Sequence, residues 1–193
     1  MIFYTYAPIT ATKAPLSPHL NDYLLKSAPK NAEARHAALA LLQTLAARAE
    51  LPAHFPIRTD ASGRPYFDAE SAPDFNLSHT DRLVACTLGT SRVGIDVQAW
   101  SDTLDTEKLA ARFFSADEVA SLKESSRARF FEIWTKKEAL GKYLGTGLSP
   151  LLRKDTEKVA AAHGVTFVTE RLEVGGRTYS LAVCAKEPAA FLK

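Results

Sequence analysis

The sequence predicts an α+β protein, and three observations carry that reading. Short runs rich in β-branched and aromatic residues recur along the chain, at Ile2 to Ala7, Leu83 to Leu88, Val93 to Val97 and within 166–185. Between them lie two segments with apolar residues at helical spacing, one behind Asn31 and one from near Ser126 to Leu144. The composition, 46% hydrophobic and 24% charged, is that of a soluble globular chain and argues against long disorder.

Ile2 to Ala7 is the first strand, followed by a loop rich in Pro, Ser and Lys. Asn31 stands at a helix N-cap position, and Ala34, Ala37, Ala38, Leu41, Leu42, Leu45 and Ala49 form the apolar positions behind it. Arg35 and His36 fall in the first turn, where positive charge opposes the helix dipole. Anion binding would give Arg35 a purpose, and a solvated basic residue fits the pattern equally well. Asp60-Ala-Ser-Gly-Arg-Pro65 is dense in turn formers. Leu83 to Leu88 and Val93 to Val97 read as strands joined by a turn at Gly89 to Arg92. Around Trp100 to Thr106 the chain turns polar, which sets the expected boundary between an N-terminal lobe, 1–99, and a C-terminal lobe, 100–193.

Ser115-Ala-Asp-Glu118 has capping-box spacing, so a short helix begins at Ala116. The long helix from Ser126 draws its apolar surface from Phe130, Phe131, Ile133, Trp134, Leu140 and Tyr143, and Gly145 and Gly147 end it. Gly175-Gly176 joins the two strands of a C-terminal hairpin, Thr166 to Val174 and Arg177 to Ala185. LVACT at Leu83 and LAVCA at Leu181 are candidates for equivalent strands of two similar lobes, a likeness over too few residues to stand alone.

The 193 residues suffice for one large domain or two small lobes sharing a core. A formal net charge of only +2 does not suit a nucleic-acid binder but leaves room for a mildly basic pocket. Cys86 and Cys184 each sit in an apolar run and read as buried, inert thiols. No apolar run approaches the roughly 20 residues of a membrane helix. The opening MIFYTYAPIT lacks the charged and apolar regions of a signal peptide, so a cytoplasmic protein is expected.

Two features carry chemistry. Trp134, Glu138 and Lys142 are spaced i, i+4, i+8, so an aromatic, a carboxylate and an ammonium share one stripe of the long helix. Taken alone, a surface Glu–Lys pair explains that stripe better. Asp96 is a carboxylate amid apolar strand residues, which needs a hydrogen-bond donor or a metal once buried. Magnesium takes oxygen ligands, typically one or two carboxylates with phosphates and water, and Asp96 and Glu138 would suit it. No HExxH or CxxC spacing provides for zinc, and neither a GxxxxGK[ST] loop nor a GxGxxG after a strand is present.

VGIDVQ at Val93, followed by FFEIWTKKEALGKYLGTGLS from Phe130, strongly resembles the 4′-phosphopantetheinyl transferases. The family pairs a GxD strand motif with a W-x-x-K-E-A-x-x-K helix some forty residues later. Here Asp96 and Glu138 are 42 positions apart. GRPYF at Gly63, FNLSHT at Phe75 and FFSADE at Phe113 match three further motifs, and the five in order span most of the chain.

The resemblance implies the surfactin-synthetase type of fold, a pseudo-dimer of two similar α/β lobes in one compact chain acting as a monomer. It implies Mg2+-dependent transfer of 4′-phosphopantetheine from coenzyme A to a serine of an apo acyl, peptidyl or polyketide carrier protein, releasing adenosine 3′,5′-bisphosphate. Asp96 and Glu138 would hold the ion, with Glu138 also the base; Lys137 and Lys142 would contact phosphates. Ser78, His79 and Arg64 would bind the nucleotide end, and Arg35 would add a phosphate contact. Many members carry Glu two residues after the strand Asp; Gln98 stands there instead, and as a third metal position its uncharged amide would bind the ion weakly, through water or not at all. The alternative is a non-catalytic carrier-protein or coenzyme A binding module of the same fold.

Overall fold

The computed structural model describes residues 1–11, 14–26, 30–124 and 126–192. Its first sheet has the order β4-β5-β1-β9, from β1 (Ile2–Pro8), β4 (Asp74–His79), β5 (Leu83–Gly89) and β9 (Ala189–Phe191). Helix α2 (Ala32–Arg48) covers one face of it. The expected apolar positions Ala34, Ala37, Ala38, Leu41, Leu42 and Leu45 are all buried there. Asn31 takes the N-cap position, in a left-handed conformation and without a side-chain cap. The expected loop before it contains a helix, α1 (Pro18–Lys26), and residues 12, 13 and 27–29 of that loop lie outside the described set. A two-stranded ribbon, β2 (Ile57–Thr59) and β3 (Pro65–Phe67), encloses the expected turn at 60–65.

The second sheet has the order β6-β8-β7, from β6 (Val93–Ala99), β7 (Thr166–Val174) and β8 (Arg177–Ala185). Helices α3 (Thr106–Phe113), α4 (Ala116–Ala120), α5 (Ser126–Leu144) and α6 (Thr156–Ala162) fill the connection between β6 and β7. The α4 capping box, the α5 span and the Gly175-Gly176 hairpin all fall where the spacing places them.

Both halves run strand, long helix, antiparallel pair, and in both the last strand lies in the middle of its sheet. LVACT and LAVCA lie in those two middle strands, which alternate in the same way. Val84, Cys86 and Leu88 face α2, while Ala182 and Cys184 face α5. Leu83 and Ala85 from one strand join Tyr179, Leu181 and Val183 from the other in a single cluster between the halves. Burial drives both cysteine thiols up, Cys184 to about 12, so neither is a thiolate at neutral pH.

The sheets do not divide at residue 100. β6 pairs with β8 from Val93↔Ala185 to Ala99↔Tyr179 and belongs to the second sheet, while β9 pairs in parallel with β1 of the first. The other edge of β6 faces β4 through side chains. Asp74, Asn76 and Ser78 accept the backbone N–H groups of Val93, Ile95 and Val97 at 2.8, 2.9 and 3.2 Å. This ladder satisfies an edge that would otherwise present buried, unpaired donors.

Candidate active site

Everything at the site depends on how closely β6 passes α5. A Cβ on Gly94 would overlap the Ala139 carbonyl oxygen and lie 2.8 Å from the Tyr143 nitrogen, so only glycine allows this approach. Two residues on, Asp96 is then delivered beside the helix face that carries Glu138 and Lys142. The GxD spacing is therefore steric first and chemical second.

Asp96 is 7% exposed, and its Oδ1 accepts hydrogen bonds from Lys142 Nζ at 2.8 Å and Ser78 Oγ at 2.9 Å. Lys142 also donates to Ser78 Oγ and to the Ile95 carbonyl, at 2.9 and 3.0 Å. The Ser78 hydroxyl thus donates once and accepts twice, from Lys142 and Val97. Asp96 Oδ2 has no hydrogen-bond partner among the described residues. Glu138 makes neither a hydrogen bond nor an ion pair there. Burial first, then the Asp96 charge, pushes its carboxyl above the ordinary glutamate value, and Lys142 only partly offsets them.

Ser78, His79, Asp96, Gln98, Trp134, Glu138 and Lys142 line one cavity of about 300 Å³. The i, i+4, i+8 stripe of α5 accordingly faces a cleft. Trp134 is braced there by stacking on Phe130 and an edge contact with Phe113. Gln98 donates from Nε2 to the Ala99 carbonyl at 3.2 Å. A second cavity of about 570 Å³ adjoins the first at Leu77 and His79 and is lined by Tyr23, Arg35, Leu39 and Pro65. His79, exposed at the end of β4, has its pKa held below the usual histidine value. Partial desolvation is the largest cause, followed by Lys142 and Arg35, against a smaller pull from Asp96.

Two expected phosphate contacts face elsewhere. Arg64 is 7% exposed and donates to the Asp74 carboxylate and to the carbonyls of Phe75, Val93 and Lys142. Its guanidinium pins the β2–β3 ribbon to β4, β6 and α5. Lys137 is fully buried, with its ammonium on Glu118 at 2.9 Å and on the Lys154 carbonyl. Its place one residue before Glu138 turns it onto a different helix face, away from the cavity. Glu118, the last residue of FFSADE, accepts from Ser115, Lys137 and Thr156 and so ties α4, α5 and α6 together.

Sequence reading missed Asp74 and Asn76 as organisers of the site. The available signal was polar alternation across Asp74, Asn76 and Ser78, which hides a strand because Asp and Asn are poor strand formers.

Two carboxylates lining one cavity, Asp96 with one oxygen and Glu138 with both oxygens unpartnered among the described residues, suit a hard cation. Among the described residues no group of three His, Cys, Asp or Glu side chains is placed to hold a metal. An ion would therefore take Asp96, Glu138 and neutral oxygens, a donor set compatible with magnesium and unlike a zinc cage.

Comparison with known proteins identifies the class as a transferase. The family model of the 4′-phosphopantetheinyl transferase superfamily matches residues 92–184. A 4′-phosphopantetheinyl transferase of Bacillus subtilis is 32% identical over 165 residues, covering 77% of this chain and 71% of that protein. The 4′-phosphopantetheinyl transferase AcpT of Salmonella typhimurium is 30% identical over 174 residues, covering 88% and 85%. The 4′-phosphopantetheinyl transferase Sfp of Bacillus subtilis (strain 168) is 30% identical over 145 residues, covering 67% of this chain and 62% of its own length. The chain belongs to the 4′-phosphopantetheinyl transferase superfamily and, like these relatives, is an enzyme. No helix among the described residues is long and apolar enough to cross a membrane.

Proposed function

We propose that this chain moves the 4′-phosphopantetheine group of coenzyme A onto a serine of an apo carrier protein, with Mg2+ held between Asp96 and Glu138. The observation that carries the proposal is the pair of carboxylates in one cavity, Asp96 anchored through one oxygen and Glu138 without a partner among the described residues, beside a groove that Arg35 and His79 line. Gln98 would contribute an amide oxygen to the ion. When bound, the ion would offset charge on the pyrophosphate.

The protein's own groups supply the rest. The nucleotide end lies in the groove of Arg35 and His79, whose side chains face its phosphates. Lys142 and Ser78 hold Asp96 in place. Glu138 accepts the serine proton as the serine oxygen bonds to the phosphorus that carries the pantetheine arm. The bond from that phosphorus to the bridging oxygen breaks, and the electron pair leaves with adenosine 3′,5′-bisphosphate. Catalysis of this kind rests on positioning and charge stabilisation, which rigid β6 and α5 are suited to give.

Mass spectrometry of intact apo acyl, peptidyl and polyketide carrier proteins incubated with this chain, coenzyme A and Mg2+ tests the proposal. The expected result is the phosphopantetheine increment on at least one carrier, lost in EDTA and with Asp96→Ala. No increment on any carrier, or an increment insensitive to both changes, would overturn it.

A further inference from the structure

Arg92, the last residue of the turn between β5 and β6, reaches across to the C-terminal end of α5. We propose that it is a positioning residue for the transfer reaction: it clamps the end of α5 onto β6 and so keeps Lys142, and through Lys142 the Asp96 carboxylate, in place. The inference rests on the function proposed above.

The last carbonyls of a helix have no partner within it, and three successive ones at this end are taken from outside the helix. Gly141 accepts the Thr146 and Gly147 N–H groups at 3.2 and 3.3 Å, which the left-handed turn at Gly145 brings round. Lys142 accepts from Arg64 at 2.6 Å, and Tyr143 accepts from Arg92 Nε. The rest of the Arg92 guanidinium lies along the loop, where a Cβ on Gly145 would come within 2.9 Å of its Nη2. A positive charge there also suits the negative end of the helix dipole.

The two arginines differ in kind. Arg64 is buried, with its charge met by Asp74, and belongs to the frame. Arg92 is exposed, and no carboxylate pairs with it among the described residues, so its removal opens no hole in the core. What it holds is where accuracy matters. Arg92 stands two residues before Gly94, at which β6 passes against Ala139 and Tyr143 of α5. Next to Tyr143, Lys142 uses all three ammonium hydrogens, on Ser78 Oγ, the Ile95 carbonyl and Asp96 Oδ1, at 2.9, 3.0 and 2.8 Å. A shift of about 1 Å at the helix end would break this set, and a misplacement of that size can cost a reaction about 100-fold.

Two substitutions read the clamp. The Nε2 of glutamine stands as many bonds from the backbone as the Nε of arginine, so Arg92→Gln keeps the donor to Tyr143 and removes the charge. Arg92→Met keeps the length and removes the donor. In carrier modification followed by mass spectrometry, Arg92→Met should have a kcat at least about tenfold below wild type. Its KM for coenzyme A should stay within about threefold, because the groove of Arg35 and His79 is untouched. Arg92→Gln should recover most of the rate. Hydrogen exchange of the protein without ligand should quicken at the Thr146 and Gly147 amides in Arg92→Met and not in Arg92→Gln. The melting temperature of Arg92→Met should fall by less than about 4 °C, the scale of one hydrogen bond in a chain of this size. Wild-type turnover in Arg92→Met, equal losses in both variants, or a KM that rises as far as kcat falls would overturn the clamp. Any of these in a wild-type protein that modifies carriers sinks only this inference. A wild-type protein that modifies no carrier sinks the function beneath it, and the exchange rates still show whether Arg92 holds the helix end.

Discussion

Glu138 and Asp96 show what a single side chain's surroundings decide. Both are carboxylates in one cavity, yet Asp96 is held by Lys142 and Ser78 while Glu138 has no partner among the described residues and a raised pKa. Glu138→Gln keeps an oxygen ligand and removes the proposed base. Transfer should fall by about 10²- to 10⁴-fold, the range of general-base catalysis. Coenzyme A affinity should change by less than about tenfold, because the groove of Arg35 and His79 is untouched. A variant transferring within tenfold of wild type would remove the base role. The variant also relieves repulsion with Asp96. Without divalent cation it should melt at or above the wild-type temperature, and Mg2+ should raise the melting temperature of the wild type by more than that of the variant. A Mg2+ shift of equal size in both would detach Glu138 from the ion.

Asp96, Glu138 and Lys142 could be read together from the sequence only through the family motifs, since the helical i, i+4 pair alone reads as a surface pair; the fold places all three on one cavity. The engagement of Arg64 and Lys137 could not be read. It depends on Asp74 and Glu118, whose positions only the folded chain determines. Arg64→Ala would strand Asp74 and three carbonyls, so it should cost stability, read by urea melting, more than it costs affinity for coenzyme A. A stable Arg64→Ala protein with a selective loss of coenzyme A binding would return Arg64 to the ligand.

At the scale of elements, the buried Glu118–Lys137 pair joins α4, α5 and α6 and so holds α5 from behind. Lys137→Met leaves a buried carboxylate unpaired and should destabilise the protein by about 3–5 kcal/mol in urea unfolding. A loss below about 1 kcal/mol would show that water reaches Glu118. Burial pushes the Glu118 carboxyl up, but donors from Thr156, Ser115 and Lys137 outweigh it and hold the group below its ordinary value of 4.5. Its contribution is therefore fully present above pH 4.5 and is lost as the pH falls through the lower folded value. Glu118→Gln should flatten the acid limb of the stability profile, and an unchanged limb would rule the group out. Elements with strong local signals were legible, namely the α4 capping box, the α5 span and the Gly175-Gly176 turn. α1 and α3 are too short for periodicity to rise above their Pro and charged residues. β4 alternates Asp, Asn and Ser for the sake of the strand beside it.

For the molecule as a whole, Tyr4, Leu83 and Ala85 of the first sheet share one cluster with Ile95, Val97, Leu181 and Val183 of the second. With the β4–β6 ladder and the β1–β9 pairing, this leaves no plane along which the halves separate without exposing core. Calorimetry should show one cooperative unfolding transition, with the Cys86 and Cys184 amides exchanging together. Two resolved transitions would mean that the shared cluster is weaker than either half.

The register of the two middle strands has a consequence for stoichiometry. If Cys86 is taken as the counterpart of Cys184, then Val84 corresponds to Ala182, and the residues paired with them are Ala7 on β1 and Asp96 on β6. The place that holds a carboxylate in one half holds a methyl group in the other. A scaffold repeated twice thus bears its carboxylate pair once, and in the proposed reaction the other copy serves as the wall against which the nucleotide rests. Saturation with coenzyme A should be hyperbolic and end at one molecule per chain, as for a lock with two matching plates and a single keyhole.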